Sequence, residues 1–241
     1  AVTAPLLRKL RYDGSKAQWL GSVTPMSEVL TVWHTAPATT LVQARTVPLV
    51  MATSSKLSSA YLLPAFLNQI AGTKFKMVQG YNGAGPMNKA METGEVHGRG
   101  SFYNSYKAVK ADWVRDRKII HLLQVGPAIA DIPEVPNLRD LAKTPEQKQI
   151  VSFLEVSARI GHGFYVGPGV PKERVAALRK AFVETMKDPE FLSTAKKRTL
   201  IVEPIAAADM QAAVDAAYAT PPAVLAKFKK LVGLGKPKAK K

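Results

Sequence analysis

The sequence predicts an α/β protein with mainly parallel sheets flanked by helices, and two observations carry that expectation. Between residues 28 and 125, short runs rich in β-branched and aromatic residues alternate with segments of helical period. Beyond residue 144 the pattern turns mostly helical, interrupted by one strand-like run at 163–166. A chain of 241 residues, 46% hydrophobic, can bury one large core or two small ones. Its apolar runs are all shorter than the roughly 18 residues that a membrane-spanning helix needs.

Residues 1–24 show no clear periodicity. Residues 28–34 (EVLTVWH) are the first strand candidate, and 47–52 the second, after a break at Ala36-Pro37 and a short helical turn. The polar loop 53–59 leads into a helix that runs through Ile70 and ends at Gly72. A third strand is expected at 75–79, followed by the loop 80–85 and a helix through Met87 and Met91 that closes at Gly94. A fourth strand at 95–100, a helix at 103–109 and a fifth strand at 118–125 complete this part. In such sheets ligands bind at the carboxyl ends of the strands, and loops 53–59 and 80–85 fit that position.

In the second half, Thr144-Pro145-Glu146-Gln147 is a helix start: Thr caps, Pro occupies the first turn, and Gln reaches back. Asp188-Pro189 and Thr220-Pro221 repeat the cap-then-proline pattern. Val175, Leu178, Phe182 and Met186 mark one apolar helix face, and Met210, Val214, Ala217 and Tyr218 another.

The chain lacks cysteine, which excludes disulfides, thiolate nucleophiles and cysteine metal sites. The net charge of +16 suggests a polyanion partner. Yet residues 227–241 alone hold seven lysines and no acid, and such an end also reads as a solvated tail. His34, His97, His121 and His162 have no metal-motif spacing, and His121 within an apolar strand reads as a core or edge histidine. Neither a hydrolase elbow nor a phosphate-binding Gly-Lys loop occurs. The glycines at 80, 83 and 85 lack the dinucleotide spacing; they make tight turns or let backbone N–H groups approach an anion. Phe102, Tyr103, Tyr106 and Trp113 read as core rather than a base-stacking platform.

Three stretches stand out in order: the run from Gly72 through Tyr81-Asn82-Gly83-Ala84 to Gly94-Glu95-Val96, the turn Ala130-Asp131-Ile132-Pro133-Glu134-Val135-Pro136, and the passage from Tyr165 to Pro171 that leads on to Asp188-Pro189-Glu190-Phe191. Together they resemble the tripartite tricarboxylate transporter solute receptors, the Bug/TctC-like family of periplasmic solute-binding proteins. The resemblance implies a two-lobed fold of the periplasmic-binding-protein type II kind, with the first lobe incomplete. The family carries about ninety residues before the point matching Ala1, an estimate from domain size. It further implies residues 1–25 as the end of lobe 1 and a crossover, 26–130 as lobe 2 with the ligand loops, 131–160 as crossover and linker helix, 161–233 as a mostly helical return to lobe 1, and 234–241 as a basic disordered tail. The family's Glu-Val-Asp is Glu95-Val96-His97 here.

By the same resemblance the ligand contacts are Thr53, Ser54, Ser55 and Ser58 of the first loop, Tyr81, Asn82, Gly83 and Ala84 of the second, and Ser101 and Asn104 beyond the next strand. All offer hydroxyls, amides or backbone donors, which suits binding without turnover and without a cofactor or metal. The expected function is a periplasmic, exported receptor that passes a small organic acid, a carboxylate or dicarboxylate, to membrane transporter subunits. The alternative is a repurposed receptor, an accessory subunit whose basic surface and C-terminal lysine tail dock on an anionic partner such as a membrane complex, a lipid or a nucleic acid.

Overall fold

The computed structural model describes residues 2–198 and 200–234. In chain order the elements are α1 (Ala4–Leu7), β1 (Gln18–Ser22), β2 (Glu28–Trp33), β3 (Leu49–Thr53), α2 (Ser59–Ile70), β4 (Phe75–Gln79), α3 (Ala84–Glu92), β5 (Gly98–Phe102), α4 (Tyr103–Val109), α5 (Ala111–Arg115) and β6 (Ile119–Val125). There follow α6 (Leu138–Leu141), α7 (Pro145–Ile160), β7 (Gly163–Val166), α8 (Lys172–Thr185), α9 (Pro189–Lys197), α10 (Ala207–Tyr218) and α11 (Pro222–Leu231). Among the described residues no helix is long and apolar enough to cross a membrane.

Five strands form one sheet in the order β4-β3-β5-β2-β6. β3 pairs parallel with β4 and β5, whereas β2 is antiparallel to both its neighbours, β5 and β6. The expectation of a mainly parallel sheet is therefore met by four strands sharing one direction, with β2 reversed between two of them. β1 and β7 form a separate antiparallel pair. β1 lies in the segment that shows no periodicity, because its pairing partner is far along the chain.

The sheet is buried on both faces. Leu30 and Val32 of β2 face a core shared with α2, α7, α10 and α11. Val29 faces the other way, against Met87 and Met91 of α3 and Tyr103, Tyr106 and Trp113 of α4 and α5. The aromatic cluster is thus packing, with Tyr106 and Trp113 fully enclosed. His121 bonds Thr31 Oγ1 through Nδ1 at 2.9 Å and packs on Tyr103 and Tyr106; burial holds its pKa down at about 4.

Several boundaries move for local reasons. The fourth strand begins at Gly98 rather than 95, because Gly94 (φ 75) ends α3 and Val96 N–H returns to the Ala90 carbonyl. His97 then bonds β3: its Nδ1 accepts from Val50 N–H at 2.9 Å, and its own N–H donates to the Val50 carbonyl. An accepting Nδ1 places the proton on Nε2, so the ring is neutral there, and burial lowers its pKa accordingly. Thr144 and Gln147 form the expected capping box, and Asp188 caps α9 through Phe191 N–H at 2.7 Å. Thr220 does not cap α11; the position belongs to Pro221, and Thr220 is buried. Val175 of α8 and Met186 at its C-terminal cap are buried, but Leu178 is 42% exposed. Of the expected tail at 234–241, Leu234 instead packs against the core, and 235–241 lie outside the described residues.

α11 is anchored by Phe228, fully buried between Phe66 of α2 and Phe153 of α7 at ring-centroid distances of 6.1 and 5.7 Å. Phe228→Ala should cost about 3–5 kcal/mol in urea unfolding, the usual loss for a core aromatic. A loss under about 1 kcal/mol would show that α11 is not integral to the fold.

Candidate functional site

Because β3, β4 and β5 share a direction, their carboxyl ends lie along one edge of the sheet. The register pairs Thr53 with Gln79, so the loops leading into α2 and α3 leave from adjacent strands, about 4.8 Å apart. Each loop is short, and each ends at a helix N-terminus.

At the first loop, Ser54, Ser55 and Lys56 are exposed. Ser58 occupies the cap position of α2 in extended conformation, yet its hydroxyl does not cap the helix. It donates instead to the Ser55 carbonyl at 2.7 Å, closing a tight turn with the 3.1 Å bond from Ser58 N–H. Thr53 differs from expectation: it is fully buried, and its hydroxyl donates to the Val78 carbonyl at 3.2 Å. It fastens β3 to β4 rather than facing a ligand.

At the second loop, Asn82, Gly83 and Ala84 are exposed. Gly83 caps α3 at φ 95 and ψ −175, a conformation open essentially to glycine alone. A Cβ there would meet nothing within 4 Å, so conformation rather than crowding demands glycine. Its N–H is engaged by the Tyr81 carbonyl at 3.0 Å, which leaves the donor role to the first turn of α3. That turn has neither a side-chain cap nor an acid. The Tyr81 hydroxyl also departs from expectation, since it donates to Glu95 Oε1 at 2.6 Å. Burial and that carboxylate push its pKa up to about 12.

Ser101 and Asn104 do not join this group. Ser101 stands opposite Val29, on the face turned towards α3 and α4. Asn104 lines a cavity of about 200 Å³ with Ser27, Lys107, Asp131 and Glu203. Lys107 is already paired with Asp131 at 2.6 Å, so this cavity offers an anion no free cation among those residues. Ser54, Ser55 and Ser58 thus precede α2, and Asn82, Gly83 and Ala84 open α3; the two helices start from adjacent strand ends and pack on opposite faces of the sheet. Such termini carry partial positive charge and unpaired donors.

Two residues at this edge escape sequence reasoning. Lys56 is the one cation in the loop between β3 and α2. Glu28, the first residue of β2, is the other. The register places it opposite Phe102 and Val125, the last residues of β5 and β6, so it sits at the same strand-end edge. It is 4% exposed, and its Oε1 is buried with no hydrogen-bond partner among the described residues. Burial pushes its pKa up to about 7, against a smaller lowering by the Ser59 side chain in the first turn of α2. A Glu opening a strand resembles a solvated end, and only its position beneath α2 reveals it.

No protein-family model and no curated protein matches the sequence. Among solved structures, the fold is similar to a TctC solute-binding protein from Polaromonas, at 16% identity and TM-score 0.64, covering 97% of this chain and 75% of that one. The periplasmic binding protein BugD is similar at 17% identity and TM-score 0.66, covering 95% and 75%. The R. palustris protein Rpa4515, solved with adipate, is similar at 20% identity and TM-score 0.62, covering 94% and 72%. The chain thus has the α/β fold of periplasmic solute-binding proteins of the TctC and Bug type, a mixed sheet flanked by helices.

A carboxyl whose pKa rises on folding binds its proton more tightly in the folded state. Its contribution to stability is present below its unfolded value of about 4.5 and is lost as pH rises through about 7. Across that window the native chain should lose on the order of 1–3 kcal/mol relative to Glu28→Gln. Urea unfolding of both proteins at several pH values checks this, and a pH-independent difference would contradict it.

Proposed function

Proceeding from this fold, we propose that the chain is an exported, periplasmic solute receptor that binds a small carboxylate or dicarboxylate and presents it to a tripartite tricarboxylate-type membrane transporter. One observation carries the reading: the N-termini of α2 and α3, neither with a side-chain cap and neither with an acid in its first turn, start from adjacent parallel strands at one sheet edge. Each terminus favours a carboxylate through its N–H groups and its dipole. Two of them at adjacent strand ends, one on each face of the sheet, suit a molecule with two such groups. The adipate in the R. palustris neighbour is a ligand of that class.

In this reading Ser54 and Ser55 supply hydroxyls, Asn82 an amide and Lys56 the compensating charge. Gly83 shapes the second terminus without donating. These groups include no nucleophile with a partnering base, so the ligand is held and released unchanged. The two-stranded sheet of β1 and β7 belongs to a first lobe and the five-stranded sheet to a second. Docking of a basic surface on an anionic partner has less support, since the similar solved structures are solute-binding proteins.

Calorimetric titration with short mono- and dicarboxylates, adipate included, tests this. Gly83→Val should weaken binding by about tenfold or more, because valine disfavours positive φ at the α3 cap. Lys56→Ala should weaken it severalfold and flatten its salt dependence. Tyr81→Phe should change it little, as that hydroxyl is held by Glu95. Equal binding by a folded Gly83→Val protein would place the site elsewhere. Failure of the whole panel to bind would overturn the receptor reading.

A further inference from the structure

The buried carboxyl of Glu28 meets the Ser59 side chain in the helix turn assigned to the ligand, and its Oε1 has no hydrogen-bond partner among the described residues. We propose that Glu28 couples carboxylate binding at the α2 N-terminus to the uptake of one proton, so that the protein takes up its ligand as an anion together with H⁺. The inference rests on the receptor reading of that terminus. The proton comes from the solvent buffer and forms an O–H bond on the Glu28 carboxylate, while the ligand stays ionised.

The argument is one of two anions competing for a single helix end. Glu28 approaches the first turn of α2 from below through the Ser59 side chain, and its Oε1 has neither solvent nor a partner. A ligand carboxylate approaches the same turn from outside, where Ser54 to Lys56 are exposed. Glu28 is itself buried in protein, where charges interact more strongly than in water. A bound anion therefore disfavours the ionised form of Glu28 and raises its pKa further.

The charged groups on the neighbouring elements are committed elsewhere. Arg99 of β5 lies on the opposite face of the sheet, bonded to Asn88 Oδ1 at 2.9 Å. Glu155 of α7 is held by Arg139 and Arg159. Asp131, in the segment after β6, is held by Lys107. Glu203 is exposed, and His121 on β6 is held neutral by burial down to about pH 4. Among the described residues no cation pairs with Glu28, so protonation is the way its charge is removed.

Calorimetry with adipate in two buffers of different ionisation enthalpy measures the proton count directly. The native chain at pH near 7.5 should take up a substantial fraction of a proton per ligand and bind about tenfold more tightly at pH 6 than at pH 8. Glu28→Gln, neutral at every pH, should show no uptake and an affinity within about twofold across that range. Ser59→Ala, which removes the contact that lowers the Glu28 pKa, should move the pH midpoint of affinity upward and covers the case in which Glu28→Gln does not fold. Adipate binding without proton uptake, or with the same uptake in Glu28→Gln, overturns the coupling and leaves the receptor reading intact. Absence of binding by the native chain and by Glu28→Gln at every pH overturns both.

Discussion

Strand β2 runs against β3, β4, β5 and β6, and the arrangement of the site follows from that reversal. Lying between β5 and β6, it contributes Leu30 and Val32 to one face of the sheet and Val29 to the other. All three are completely buried. Because it is antiparallel, its first residue lies where its neighbours end. A carboxyl at the start of β2 is therefore carried to the edge from which α2 and α3 depart. Were β2 parallel like the rest, Glu28 would sit at the opposite end of the sheet, away from both helix N-termini.

The architecture of that edge is otherwise made from backbone. Ser58 turns its hydroxyl to Ser55 instead of capping α2, and Gly83 adopts a conformation that starts α3 without a capping side chain. The first forgoes the stabilisation a cap provides, typically about 1 kcal/mol, and the second only a few tenths of that, because glycine is itself a tolerated cap. A site built this way recognises charge and shape more than chemical detail. It also explains why the hydroxyls nearest the strands, those of Thr53 and Tyr81, are bonded within the protein: they hold the frame on which the donors sit.

Much of the five-stranded sheet was legible because its signals are local. The run 75–79 matches β4 residue for residue, and the Thr144 capping box and Asp188 cap start α7 and α9 as their sequences require. Long-range features were not legible. The sequence of β1 carries no strong alternation, and its identity depends on pairing with β7 from the far half of the chain. The loops at 53–59 and 80–85 were evident from glycine, serine and threonine composition, but not the direction each hydroxyl takes. Glu28 opens the strand run 28–34 with nothing in the sequence to single it out, since burial beneath α2 is a property of tertiary packing. Ser101 was assigned to the ligand by resemblance, whereas the alternation of β5 puts it on the opposite face from α2.

The central claim is that two helix N-termini form one anion site, and amide chemical-shift mapping during an adipate titration addresses it most directly. The account predicts saturable shifts concentrated in the backbone N–H groups that open α2 and α3, with smaller changes near Asn104 and its cavity. Shifts confined to that cavity, or to the surface of α8 and α9, would contradict it.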